Sequence, residues 1–88
     1  MNRWNLIIYA PAYNVEKPIK EFLKRVRTLK KKLAKQEILI KRLIIVDDGS
    51  KDRTLKILEK FRRENSYLEI IEHKQNYGPV KSIIDGMA

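Results

Sequence analysis

Leu43-Ile44-Ile45-Val46-Asp47-Asp48-Gly49-Ser50 joins a run of four apolar residues directly to two carboxylates and a Gly-Ser turn. A short, unbroken apolar run rich in Ile and Val reads as a strand buried on both faces, the pattern of a parallel sheet. A helical pattern begins at about Arg53. The acidic pair therefore lies where a parallel strand hands over to its crossover helix, the edge at which open α/β sheets bind ligands. Upstream, Leu6-Ile7-Ile8-Tyr9-Ala10-Pro11-Ala12-Tyr13-Asn14 repeats the plan of apolar strand, polar loop and helix. The two loops are expected to face one crevice, which is the candidate site.

Between these strands, Ile19, Phe22, Leu23, Val26, Leu29 and Leu33 recur at spacings of three and four, the apolar stripe of an amphipathic helix. Pro18 suits its first turn, where a missing N–H costs nothing. Ile38-Leu39-Ile40 has three readings: the end of this helix, a loop anchor, or a backward extension of the second strand. A second helix is expected from Thr54 to about Glu64, with Leu55, Leu58 and Phe61 inward and Asp52 or Ser50 as N-cap. Tyr67 to Glu72 reads as a third strand, Asn76 to Pro79 as a turn, and Val80 to Met87 as the start of a third helix. Trp4 is expected to anchor the first strand, and His73 to be a surface residue, with a nucleotide contact as the alternative. The order β-α-β-α-β-α, with helical crossovers, predicts an α/β fold whose parallel sheet runs 3-2-1.

Composition narrows the chemistry. Eighty-eight residues form one small domain. With no cysteine there is neither a disulfide nor a thiolate metal site, and one histidine argues against a His-based metal cluster. Apolar runs of about four residues are far too short for a membrane span, and Met-Asn-Arg-Trp-Asn lacks the apolar core of a signal peptide. A soluble, cytoplasmic domain is the expectation. The net charge of +9 is concentrated: residues 17–35 hold nine of the 20 basic residues and one of the 11 acidic ones. Lys20, Lys24, Arg27, Lys31 and Lys35 occupy the face opposite the apolar stripe. This face is plainly solvated, or it meets an anionic membrane or another acidic surface, the membrane making the protein peripheral, with nucleic acid as the remaining reading. No aromatic platform or recognised motif points to nucleic acid.

Four elements together carry a family resemblance: Ile7-Ile8 through Pro11-Ala12-Tyr13-Asn14-Val15-Glu16; Ile45-Val46-Asp47-Asp48-Gly49-Ser50; Asp52 with Thr54; and Asn76-Tyr77-Gly78 leading to Gly86. In this order and βαβ setting, the chain resembles the N-terminal part of a family-2 glycosyltransferase, of the polyprenyl-phosphate (dolichol-phosphate) mannosyl- and glucosyltransferase kind. The resemblance implies a Rossmann-like, three-layer GT-A fold, with residues 1–88 forming the half that holds a UDP- or GDP-sugar. It implies that Pro11, Ala12, Tyr13 and Asn14 line the base and ribose, that Glu16 lies near the nucleotide, and that Asp48 hydrogen-bonds the base. Asp47 and Gly49 would support the loop, and Lys81 lies where some members place a basic group near the phosphates.

Residue chemistry agrees with parts of this. A carboxylate accepts from a base edge but repels phosphate, and an aromatic face such as that of Tyr13 stacks on a base for roughly 1–3 kcal/mol. Tyr13 as loop packing and Asp47 as a helix cap stay open beside these roles. Family members use a later Asp-x-Asp element for a divalent Mg or Mn ion and a later carboxylate as base. Neither pattern follows Glu72, where Asp85 stands without a partner in that spacing. The 88 residues are therefore expected to be a truncated donor half, inactive by themselves and self-associating through the open edge of the first strand. Two other classes compete. A non-catalytic nucleotide-binding module would use the same crevice. A receiver-like domain would need its acidic pair after the first strand, where Ala10-Pro11-Ala12-Tyr13 stands.

Overall fold

The computed structural model describes residues 2–73. Strand β1 (Trp4–Ala12), helix α1 (Glu16–Ala34), strand β2 (Ile38–Asp48), helix α2 (Thr54–Glu64) and strand β3 (Leu68–His73) follow in order. The three strands form one parallel sheet in the order β1-β2-β3, the neighbour relations expected from two helical crossovers. The expected third helix, the Asn76–Pro79 turn and Lys81 lie outside the described residues.

Ile38-Leu39-Ile40 belongs to β2, paired with Trp4, Asn5 and Leu6. The register then slips by one residue, from Leu6↔Ile40 to Ile7↔Arg42. The extra residue re-phases the strand. Lys41 and Arg42 are both exposed, while Ile40 and Leu43, three apart, are both fully buried in one core cluster. That cluster joins Ile19, Leu23 and Val26 of α1, Leu58 of α2, Leu43 and Ile45 of β2 and Leu68 of β3. Both helices thus lie against the same sheet face, and they also touch each other.

Two expectations need correction. Leu29 was placed in the apolar stripe but is 42% exposed. The buried line of α1 runs through Ile19, Leu23 and Val26 and is continued by Lys30, not Leu29. The Lys30 ammonium lies 5.1 Å from the centre of the Tyr67 ring, a cation–π contact that lets its stem occupy an apolar position. Trp4 does not anchor β1, for the residue is 64% exposed. The anchor is backbone: the Glu37 carbonyl accepts from Arg3 N (2.6 Å) and Trp4 N (3.3 Å).

Glu37 makes these bonds with φ at 64°, in the left-handed region that a side chain disfavours. It follows the last turn of α1, the usual place for glycine. Replacing Glu37 with glycine is expected to stabilise the fold by about 0.5–1 kcal/mol, the relief of strain exceeding the added freedom of the unfolded chain. A urea midpoint that stays level or falls would contradict this.

Candidate nucleotide site at the carboxyl edge of the sheet

Strand alternation separates the two carboxylates. Leu43 and Ile45 face the helices, so Asp47 points to that side, and Asp48 points with Ile44 and Val46 to the other. Both are buried, at 1% and 4% exposure. Burial pushes the Asp47 carboxyl up from the ordinary range, against hydrogen bonds from the Ser50 side chain and backbone. Its Oδ1 has no hydrogen-bond partner among the described residues.

The sign of its pH effect follows. A carboxyl whose pKa is raised on folding contributes most below its ordinary value of 3.8, and that contribution is lost as the pH climbs through the raised value. Asp52 works in the opposite sense: the Thr54 hydroxyl bound to it holds its pKa down, so its contribution fades as the pH falls. Asp47→Asn should therefore gain stability relative to wild type between about pH 4 and about pH 7. Denaturant melts at the two pH values check this, and a difference independent of pH would refute it.

Asp48 is paired in register with His73, the last residue of β3. His73 Nδ1 lies 3.2 Å from Asp48 Oδ1, and since a carboxylate only accepts, Nδ1–H donates. His73 is therefore not the surface residue expected from sequence, its side chain being only 10% exposed. The signal was available, because both residues end parallel strands and alternation places His73 on the Asp48 face.

The loop after β1 is bolted to the loop after β2. Asn14 N donates to Ser50 Oγ (3.0 Å), and Lys51 N donates back to Asn14 Oδ1 (2.8 Å). Val15 N donates to Thr54 Oγ1 (2.9 Å) and Glu16 N to Asp52 Oδ2 (3.2 Å), while Arg53 N donates to Glu16 Oε1 (3.1 Å). The N-cap of α2 is Arg53, without a side-chain cap bond, and not the expected Asp52 or Ser50; Asp52, one residue earlier, accepts from Thr54 N through Oδ1. Asn14 holds φ at 49°, which asparagine tolerates, and Gly49 makes the β2 turn at φ 79°. Ser50, Asp52 and Thr54 were legible as motif positions; their reach to the first loop was not, because the partners lie 36 to 39 residues away.

This clasp sets what each candidate residue can offer. Ala12 is buried in the core cluster, so only its backbone faces outward, and Pro11 pairs with Val46 at the sheet edge. Tyr13 is 43% exposed on the loop between them and Asn14. Asn14 and Glu16 each direct a side-chain oxygen to the partner loop. Among the described residues no group of three His, Cys, Asp or Glu could hold a metal ion. Asp47 and Asp48 point to opposite faces and cannot chelate one together.

Residues 7–88 match the family model described as glycosyl transferase family 2. An uncharacterized protein of Methanocaldococcus jannaschii is 37% identical over 84 residues, covering 92% of this chain and 31% of that protein. The crystal structure of S. aureus TarS 1-349 superposes with a TM-score of 0.65 at 29% identity, over 99% of this chain and 23% of that one. The chain thus spans less than a third of the length of either relative. With the acidic strand end and all but the first six residues inside the match, this chain belongs to glycosyl transferase family 2.

Proposed function

We propose that residues 1–88 hold the nucleotide of a UDP- or GDP-sugar donor for glycosyl transfer, with Asp48 reading the base. The observation that carries this is the pairing of Asp48 with a loop pinned beside it: a buried carboxylate, oriented by His73, lies on the sheet face that also carries Pro11. Such a group meets a base imide or amino edge as a charged acceptor, while its charge keeps the diphosphate at a distance. Tyr13 supplies an exposed ring for stacking. Pro11 and the Ala12 backbone floor the base, Asn14 and Glu16 fix the loop, and Asp47 and Gly49 support the β2 turn, while Lys81 is assigned to the phosphates on the family resemblance alone.

A divalent Mg or Mn ion would neutralise the leaving diphosphate, with ligands other than the described residues, which form no ion centre. The acceptor class favoured by the family resemblance is a polyprenyl phosphate, with the protein on the cytoplasmic side as a peripheral domain. The open edge of β1, where Leu6, Ile7 and Tyr9 are 41–45% exposed, supports self-association of the isolated domain.

Calorimetric titration of the full-length protein tests the reading. UDP or GDP should bind, the matching nucleoside should bind more weakly but measurably, and inorganic diphosphate should not bind at equal concentration. Binding of diphosphate alone, or of Mg²⁺ alone without nucleotide, would overturn a site built around the base.

A further inference from the structure

We infer that the outer surface of the α1–α2 layer is a docking surface for an anionic lipid bilayer, seated on the groove between the two helices. This is independent of the nucleotide reading. The two helices together hold twelve of the 20 Lys and Arg residues but four of the 11 Asp and Glu, so +8 of the chain's +9 lies in one layer on one side of the sheet. The sequence placed a basic face on α1 alone; the fold adds α2 to it. Lys20, Lys24 and Arg27 of α1 converge with Lys60 of α2 around a groove of about 180 Å³ floored by Leu23, Ile57 and Phe61.

None of these four cations has an ion-pair partner among the described residues. The acids of the layer do not neutralise them. Glu21 pairs with Arg25, Glu16 accepts from the Arg53 backbone, and Glu59 is half-buried. Glu64 alone lines the groove beside them.

Charge complementarity chooses the occupant. The surface is broad: a helix of the length of α1 runs about 28 Å, and α2 packs against it. Its exposed cations are mostly lysines, whose compact charge on a flexible stem suits a diffuse anionic plane more than bidentate recognition. Nucleic acid is disfavoured because the aromatic rings of these helices, Phe22 and Phe61, are half-buried and offer no stacking face. Docking through this layer leaves Asp48, on the opposite sheet face, turned away from the membrane.

The test is sedimentation of the full-length protein with vesicles of phosphatidylcholine alone or of phosphatidylcholine mixed with phosphatidylglycerol. Binding is expected only to the mixed vesicles, and it should weaken steeply between about 0.1 M and about 1 M salt, as the screening length contracts from about 10 Å to about 3 Å. Each cation near an anionic leaflet is expected to raise partitioning about fivefold. The combined variant Lys20→Gln, Lys24→Gln, Arg27→Gln, Lys60→Gln should therefore lose at least tenfold while keeping the wild-type circular dichroism spectrum. Equal binding to both vesicle types, no binding, or unchanged binding by the folded variant would overturn the inference. So would a single- or double-stranded RNA that releases the protein from vesicles by binding it more tightly at the same salt concentration. If the combined variant does not fold, Lys24→Gln with Lys60→Gln gives the same readout with about half the charge removed.

Discussion

Truncating Leu58 to alanine is expected to destabilise the fold by about 2–5 kcal/mol, the range for removing a fully buried leucine from a packed core. The side chain is fully buried and belongs to the one cluster that holds both helices against the sheet. Thr54, one turn earlier on α2, is also fully buried, so the helix has little freedom to settle into the space left behind. Domains of this size typically have a total stability of about 5–15 kcal/mol, so the variant should melt many degrees lower and expose α2 to proteolysis. Chemical denaturation of wild type and variant at matched conditions measures the difference. A loss below about 1 kcal/mol would mean that α2 is not a fixed part of the core.

Asp48→Ala should leave the fold in place and weaken nucleoside diphosphate binding by about 1.5–3 kcal/mol, or roughly ten- to a hundredfold, the value of a hydrogen bond to a charged acceptor. The loss should be equally large for the nucleoside without phosphates, because the carboxylate is assigned to the base. That pattern separates it from a general electrostatic effect, under which removing a negative charge would tighten the hold on a diphosphate. Calorimetry with both ligands decides it: undiminished affinity in a folded variant would remove Asp48 from the site. His73→Gln, keeping a donor near Asp48, should retain most of the affinity.

The architecture was legible in the sequence because its signals are local. Four apolar residues ending in a carboxylate pair identify β2, and the three-four spacing of Ile19, Leu23 and Val26 identifies α1. Helical crossovers between parallel strands leave few sheet orders to choose from. What escaped was set by relations between distant segments. The Ile38–Ile40 stretch becomes a strand because β1 is there to pair with it and an extra residue at Lys41 absorbs the phase error. Lys30 occupies an apolar position because Tyr67 is beneath it. His73 turns inward because register sets it beside Asp48. The candidate residues Asp48, Tyr13 and Asn14 were found as a motif, whereas the bonds that hold their loops in place join residues dozens of positions apart. Their nucleotide roles rest on the proposed titrations.

The bolted loops bear on how donor preference could change within such a scaffold. The segment 14–16 and the segment 50–54 each complete the other's hydrogen bonds, so they form one interchangeable part cut from two places in the gene. A graft that imports a new first loop without its counterpart leaves cross-loop bonds such as Val15 N–H to Thr54 Oγ1 unmade. Recombination between relatives should succeed when both segments come from the same parent and fail when the crossover falls between them, in α1 or β2. For this domain the unit of inheritance at the site is the pair of loops.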